Sequence, residues 1–146
     1  SFVYVTYIAS TPEKVFEAIS NPEITRRYWG HENVSDWKPG STWEHIRAND
    51  ERTVNIVGKV IEFSPPNRLV ISWASPARAD NPESHSRVTF EEYEDMVRLT
   101  VAHDELEADS DMAKGISKGW PVVLSSLKSY LETGSGLDVF AKPKAA

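Results

Sequence analysis

The sequence predicts an α+β fold: a curved antiparallel sheet of about six to seven strands around a long C-terminal α-helix, with two short helices after the first strand. Three observations carry this. Apolar residues at Met112, Ile116, Trp120, Val123, Leu127 and Leu131 recur in steps of four, four, three, four and four, one stripe of a long helix. Between Trp43 and Asp104, short runs of β-branched and aromatic residues alternate with polar ones and are separated by turn residues. Thr11-Pro12 and Asn21-Pro22 each set a capping side chain before a proline, which marks a helix start twice in quick succession.

Taken in order, Phe2–Ile8 alternates and reads as a strand. Val15, Phe16 and Ile19 mark the buried side of the first helix. Ile24 and Tyr28 do so for the second, which Gly30 ends. Asp36–Gly40 is a turn through its Pro-Gly pair. Trp43–Arg47 is a strand, Ala48–Arg52 a polar turn and Thr53–Phe63 the return strand, inside which Gly58 signals a bulge or a close backbone approach. Ser64–Asn67 breaks the chain. Leu69–Ala74 follows as a strand with Leu69, Ile71 and Trp73 on one face, and Ser75–Ser84 reads as a polar surface loop. Ser86–Glu92 and Met96–Asp104 form a last hairpin, with Val88 and Phe90, and Val97, Leu99 and Val101, on shared faces. Short connections favour an antiparallel meander, covered on one face and wet on the other.

In the final helix Leu124 and Tyr130 widen the apolar stripe, Asp109 and Asp111 sit where the helix dipole favours carboxylates, and Gly134 suits the C-terminal cap. Pro121 removes one helical hydrogen bond. It is expected to kink the helix near Gly119 or to divide it into a short helix and a longer one. Residues 1–134 form one domain in this reading, and 135–146 a flexible tail.

Bulk properties exclude several function classes. A chain of 146 residues, 40 % hydrophobic and 26 % charged, is one globular domain able to bury a core without staples. Cysteine is absent, so disulfides, thiolate metal sites and cysteine nucleophiles are out, and a cytoplasmic location is expected. No apolar run is long enough to span a bilayer, and Ser1–Tyr4 does not open a signal peptide. The net charge is −6 and no basic cluster is longer than Arg26-Arg27, which argues against a nucleic-acid partner. His31, His45, His85 and His103 show no metal-ligand spacing. Glu91, Glu92, Glu94 and Asp95, and the run Glu105, Glu107, Asp109 and Asp111, read as solvated segments. Without a phosphate loop or a GxSxG elbow, neither a metal nor a cofactor is expected.

Several segments together carry a family resemblance. They are Thr11-Pro12-Glu13-Lys14-Val15-Phe16, Asn21-Pro22-Glu23 with Tyr28-Trp29-Gly30, the run Trp37 to Trp43, the run Gly58 to Leu69, and Gly119-Trp120 with Leu124, Leu127, Leu131 and Glu132. In order and spacing the chain resembles the START/SRPBCC superfamily, the helix-grip folds that include the birch-pollen allergen. Within it the chain looks most like the family named for the activator of Hsp90 ATPase, in its short bacterial single-domain form. The resemblance covers residues 2 to 133. It implies a cavity between sheet and helix that often takes a lipid, a steroid-like molecule or a polyketide, and some members are cyclases or dehydratases. It also implies a chaperone partner, since the family name comes from a eukaryotic co-chaperone in which this domain is the C-terminal part. These 146 residues are expected to correspond to that C-terminal part and not to the protein's separate N-terminal module.

The candidate site follows from the aromatic supply. Of the five tryptophans, Trp43, Trp73 and Trp120 are expected between sheet and helix, and Trp29 at a cavity mouth. Such rings either line a pocket for a flat apolar ligand or fill the core. Trp43, His45 and Arg47 alternate on one sheet face, and His103 is in phase with Val97, Leu99 and Val101. Inward, these polar groups would order a ligand's polar end, or an imidazole would act as acid or base. The preferred reading has them reach solvent from strand ends. The candidate cavity residues are Trp29, Trp43, His45, Trp73, Phe90, His103, Trp120 and Leu124, with no catalytic residue assigned. The leading expectation is a small-molecule-binding domain for an apolar or aromatic ligand. The rivals are an Hsp90 co-chaperone or stress-response module, and a cyclase or dehydratase using His45 or His103. An edge strand such as Phe2–Ile8, or the loop around Trp37, could pair two copies in a homodimer.

Overall fold

The computed structural model describes residues 1–137. Its elements are β1 (Phe2–Ile8), α1 (Pro12–Ser20), α2 (Pro22–Trp29), β2 (His31–Ser35), β3 (Thr42–Arg47), β4 (Val54–Ser64), β5 (Arg68–Trp73), a 3₁₀ turn (Pro76–Arg78), β6 (Ser84–Tyr93), β7 (Met96–Asp104) and α3 (Asp111–Thr133). All strand pairs are antiparallel, in one seven-stranded sheet of order β1-β7-β6-β5-β4-β3-β2. From β2 to β7 it is a simple meander. β1 departs from that rule and pairs with β7, Phe2 opposite His103 through Ile8 opposite Val97. The α1–α2 connection carries the chain from one sheet edge to the other.

Local chemistry places the helices. Thr11 Oγ1 accepts the Lys14 N–H at 3.3 Å, and Asn21 Oδ1 accepts the Glu23 N–H at 2.9 Å, each just before a proline. Such caps contribute about 1 kcal/mol each. Gly30 ends α2 with φ 67°, a left-handed conformation that glycine adopts without steric cost. Ser110 caps α3 by accepting the Ala113 N–H. α3 runs through Pro121 as one helix to Gly134, so the expected division in two does not occur.

β2 was not distinguishable as a strand in the sequence, because His-Glu-Asn-Val-Ser offers one β-branched residue among polar ones. Ser84, assigned to the preceding loop by sequence, opens β6 and is fully buried. Gly58 marks a close approach: an added Cβ would overlap both the Ser72 carbonyl and the Trp43 indole nitrogen, whose N–H donates to that carbonyl at 2.7 Å. Bulges fall elsewhere in the sheet, between His45 and Ile46 and between Val60 and Glu62.

The core fills the space between the sheet and the helices. Val97, Leu99 and Val101 of β7, Val88 and Phe90 of β6, and Leu69 of β5 face Leu124 and Leu127 of α3 and Val15 and Phe16 of α1 within one apolar cluster. The end of α3 also protects the free edge of β1. Lys128 Nζ donates to the Tyr7 carbonyl at 2.6 Å, Glu132 accepts the Ala9 N–H at 2.8 Å, and the two side chains pair at 2.7 Å. The Ala9 N–H, then Lys128, hold the Glu132 carboxyl below its usual range. Trp37 stacks on Phe63 of its own chain, so much of its ring is already covered. Of the tail read as flexible, Leu137 N–H donates to Ser126 Oγ at 2.9 Å and Ser135 O accepts from Ser129 Oγ. The rest of that segment, 138–146, lies outside the described residues.

Candidate functional site

A cavity of about 520 Å³ opens between the β2–β5 half of the sheet and the first half of α3. Trp29 closes it at the end of α2, His31 and His45 enter from β2 and β3, Ile56 and Trp73 from β4 and β5, and Met112, Ile116 and Trp120 from α3. Asn55, Asp111 and Gly115 form an exposed rim, and Glu83 stands beside it. Gly115 and Gly119 lie one helical turn apart on this face, and a Cβ added at either would meet nothing within 4 Å. Glycine inside a helix costs roughly 1 kcal/mol relative to alanine. Here two of them leave open space beside the Met112, Ile116 and Trp120 side chains that α3 sends to the cavity.

The aromatic rings form one connected cluster. Trp29 lies 5.2 Å from Trp120 and 4.6 Å, edge-on, from His45, while His31 stacks on His45 at 4.2 Å with rings 3° from parallel. Trp73 joins Trp120 at 5.9 Å and Trp43 at 5.4 Å.

Hydrogen bonds assign the imidazole tautomers. Asn33 Nδ2 donates to the Ile19 carbonyl at 2.9 Å, which turns Asn33 Oδ1 toward His45 Nδ1 at 2.6 Å. An amide oxygen only accepts, so His45 carries its proton on Nδ1 and its lone pair on Nε2. Among the described residues none donates to that Nε2. His31 Nδ1 meets the Trp29 carbonyl at 3.0 Å, and its Nε2 faces the Asn55 amide N–H at 2.8 Å. His103 Nε2 accepts the Trp120 indole N–H at 2.8 Å, so its Nδ1–H points at Ser84 Oγ at 3.0 Å, and that hydroxyl donates to the Asp104 carbonyl. His103 is therefore satisfied on both nitrogens. Of the two imidazoles considered for acid–base work, only His45 offers a nitrogen to the cavity.

All three imidazoles are held neutral. Burial pushes His103 down to about 4, against a weaker upward pull from Asp104. Burial, then the neighbouring His31, pushes His45 well below its ordinary value. Burial lowers His31, outweighing the Trp29 carbonyl that favours its charged form.

A pH dependence follows. The unfolded chain takes up these protons near pH 6.5 and the folded chain does not, so the stabilisation is complete above pH 6.5 and is lost as pH falls toward 4. For His103 the loss by pH 4 is about 3 kcal/mol, at 1.36 kcal/mol per unit. Urea unfolding at pH 7.5 and pH 5 is expected to show a clearly lower midpoint at pH 5. His103→Gln should flatten that dependence.

The candidate residues divide into two groups. Trp29, His45, Trp73 and Trp120 come together around the cavity. Trp43, Phe90, His103 and Leu124 lie in packed core, where Phe90 sits against Phe16 at 4.9 Å and His103 against Trp73 at 5.0 Å. The expectation that His45 and His103 reach solvent is corrected: they are 5 % and 0 % exposed, because Asn33, Ser84 and Trp120 supply the partners that burial demands. Arg47 does not line the cavity, since the bulge after His45 interrupts the alternation and turns Ile46 inward. Sequence reasoning missed His31, Asn33, Asn55 and Glu83 as site residues. It also missed the spacing of Gly115 and Gly119 on the apolar side of α3, a signal that was there to read.

Among the described residues no helix is long and apolar enough to cross a membrane, and no cluster of three or more His, Cys, Asp or Glu could hold a metal. A long C-terminal helix gripped by a seven-stranded antiparallel sheet, with a cavity at their contact, defines a helix-grip domain. The chain belongs to the activator of Hsp90 ATPase homolog 1-like protein family, whose model matches residues 9–132. No curated protein matches it. Among solved structures it is similar to the Aha1 dimer from Colwellia psychrerythraea, with TM-score 0.78, 21 % identity, and coverage of 92 % of this chain and 98 % of that one. CalU16 from Micromonospora echinospora gives TM-score 0.70, 20 % identity and coverage of 90 % and 76 %. An Hsp90 activator from Plasmodium falciparum gives 0.67, 20 %, and 82 % and 86 %. Identities this low speak for the fold alone.

Proposed function

We propose that this domain is a small-molecule-binding module that holds an apolar, aromatic ligand between the sheet and the first half of α3. The observation that carries the reading is the cavity itself. Its volume of about 520 Å³ falls within the range of small-ligand sites, and indole rings make up much of its wall. The two cavity-facing glycines support the same reading, because filling that face with side chains would stabilise the helix and close the space.

Native mass spectrometry of the freshly purified protein, before and after denaturing extraction, tests this. A stoichiometric small molecule released on denaturation is the expected result. A bare protein with no thermal shift from a panel of aromatics and lipids contradicts it. Gly119→Ala is expected to raise stability by about 0.5–1 kcal/mol. Gly119→Leu should stay folded while losing binding by at least about tenfold, a loss of roughly 1.4 kcal/mol or more.

Family membership favours a second reading, an interaction with Hsp90. The outer face of β1 exposes Val3, Val5 and Tyr7 beside Tyr93, an apolar surface suited to a partner. Stimulation of Hsp90 ATPase that Gly119→Leu leaves intact and a Val5→Lys variant abolishes would favour it. No stimulation at saturating protein would dismiss it.

A further inference from the structure

Resting on that reading of the cavity as a ligand site, we propose that it selects uncharged aromatic molecules bearing a hydrogen-bond donor, a phenol being the simplest. Aromatic carboxylates and donor-less aromatics are discriminated against.

The first argument is the free lone pair of His45. This ring lines the cavity, is 95 % buried (5 % exposed), and is fixed on three sides. Asn33 holds Nδ1, His31 covers one ring face and Trp29 meets it edge-on. What remains for an occupant is Nε2, an acceptor to which no described residue donates. This nitrogen faces the cavity, where an occupant displaces the water that would otherwise pair with it, so an occupant that donates to it gains over one that cannot. Nε2 does not become a donor near neutral pH, because Asn33 Oδ1 keeps the single ring proton on Nδ1 and burial beside a second imidazole disfavours a second proton.

The second argument is charge. No lysine or arginine is among the residues lining this cavity, whereas Glu83 and Asp111 are. Arg78 pairs with Glu83 at 3.2 Å and Arg47 acts on His31, but neither side chain lines the cavity. An anionic ligand would lose its hydration without gaining a counter-ion and would face two carboxylates. A neutral hydroxyl on a flat ring loses less and suits the indole walls.

Three probes of one shape separate the terms: 2-naphthol, 2-methoxynaphthalene and 2-naphthoate, titrated calorimetrically into the full chain at pH 7.5 and into His45→Phe. In wild type 2-naphthol is expected to bind about tenfold more tightly than the methyl ether, the size of one net hydrogen bond, with naphthoate weakest. His45→Phe should remove that tenfold gap and leave the ether within about threefold of wild type. Asp111→Asn, on the exposed rim, should tighten naphthoate by a few-fold relative to the ether. Equal affinity for naphthol and ether in wild type overturns the donor preference and leaves the ligand site standing. Naphthoate binding most tightly overturns the charge argument. Failure of all three probes overturns the selectivity and the ligand reading together. The wild-type ranking decides the matter even if His45→Phe does not fold.

Discussion

Replacing Trp120 by alanine is expected to cost about 3–5 kcal/mol, a large share of the 5–15 kcal/mol that holds a domain of this size together. Two losses combine at this position. The indole is 3 % exposed and packs on Trp29, Trp73 and His103, so its removal opens space in the centre of the aromatic cluster. Its N–H is also the donor to His103 Nε2, and without it a buried acceptor is orphaned. Trp120→Phe separates the two terms. It keeps most of the ring and is expected to lose about 1–3 kcal/mol. It should also weaken the acid sensitivity, because a protonated His103 would no longer point an N–H at an indole N–H. Chemical denaturation of both variants at pH 7.5 and pH 5 checks each part.

The second large effect is expected at Gly58. A methyl group there overlaps the Ser72 carbonyl and crowds Trp43 Nε1, and neither neighbour is a flexible side-chain end. The β4 and β5 backbones must separate, or Trp43 must give up its 2.7 Å bond to Ser72. Gly58→Ala is expected to cost about 3 kcal/mol or more, the upper end of overpacking penalties. Gly115→Ala, in open space on α3, is expected to go the other way by about 0.5–1 kcal/mol. Thermal melts of the pair should therefore move in opposite directions. Equal shifts would mean that the close approach at Gly58 is not what fixes this part of the sheet.

Much of the fold was legible because it rests on local and periodic signals. The caps at Thr11 and Asn21, the stop at Gly30, the hairpin between β6 and β7 and the stripe on α3 each depend on residues near one another in the chain. What was not legible depends on long-range partners. β2 is held by its pairing with β3 and by Asn33 bonding to Ile19 and Thr25, none of which composition announces. The burial of His45 and His103 turned on Asn33, Ser84 and Trp120, which lie 12, 19 and 17 positions away. Alternation points both histidines inward, but burying an imidazole is costly without partners, and those partners lie far away in the chain. Arg47 fell on the wrong side of a bulge, which shifts alternation by one residue. The tryptophans were found by count and phase, although those two features do not tell packing rings such as Trp43 from cavity walls such as Trp29.

The most direct test of a ligand site between sheet and helix is a two-dimensional amide NMR titration of the ¹⁵N-labelled chain with 2-naphthol. The site described here predicts saturable shifts of the Trp29, Trp73 and Trp120 indole N–H signals and of the Gly115 and Gly119 amides, while Trp37, stacked on Phe63, stays still. Shifts confined to Val3, Val5, Tyr7 and Tyr93, or no saturable shift at millimolar 2-naphthol, would contradict it.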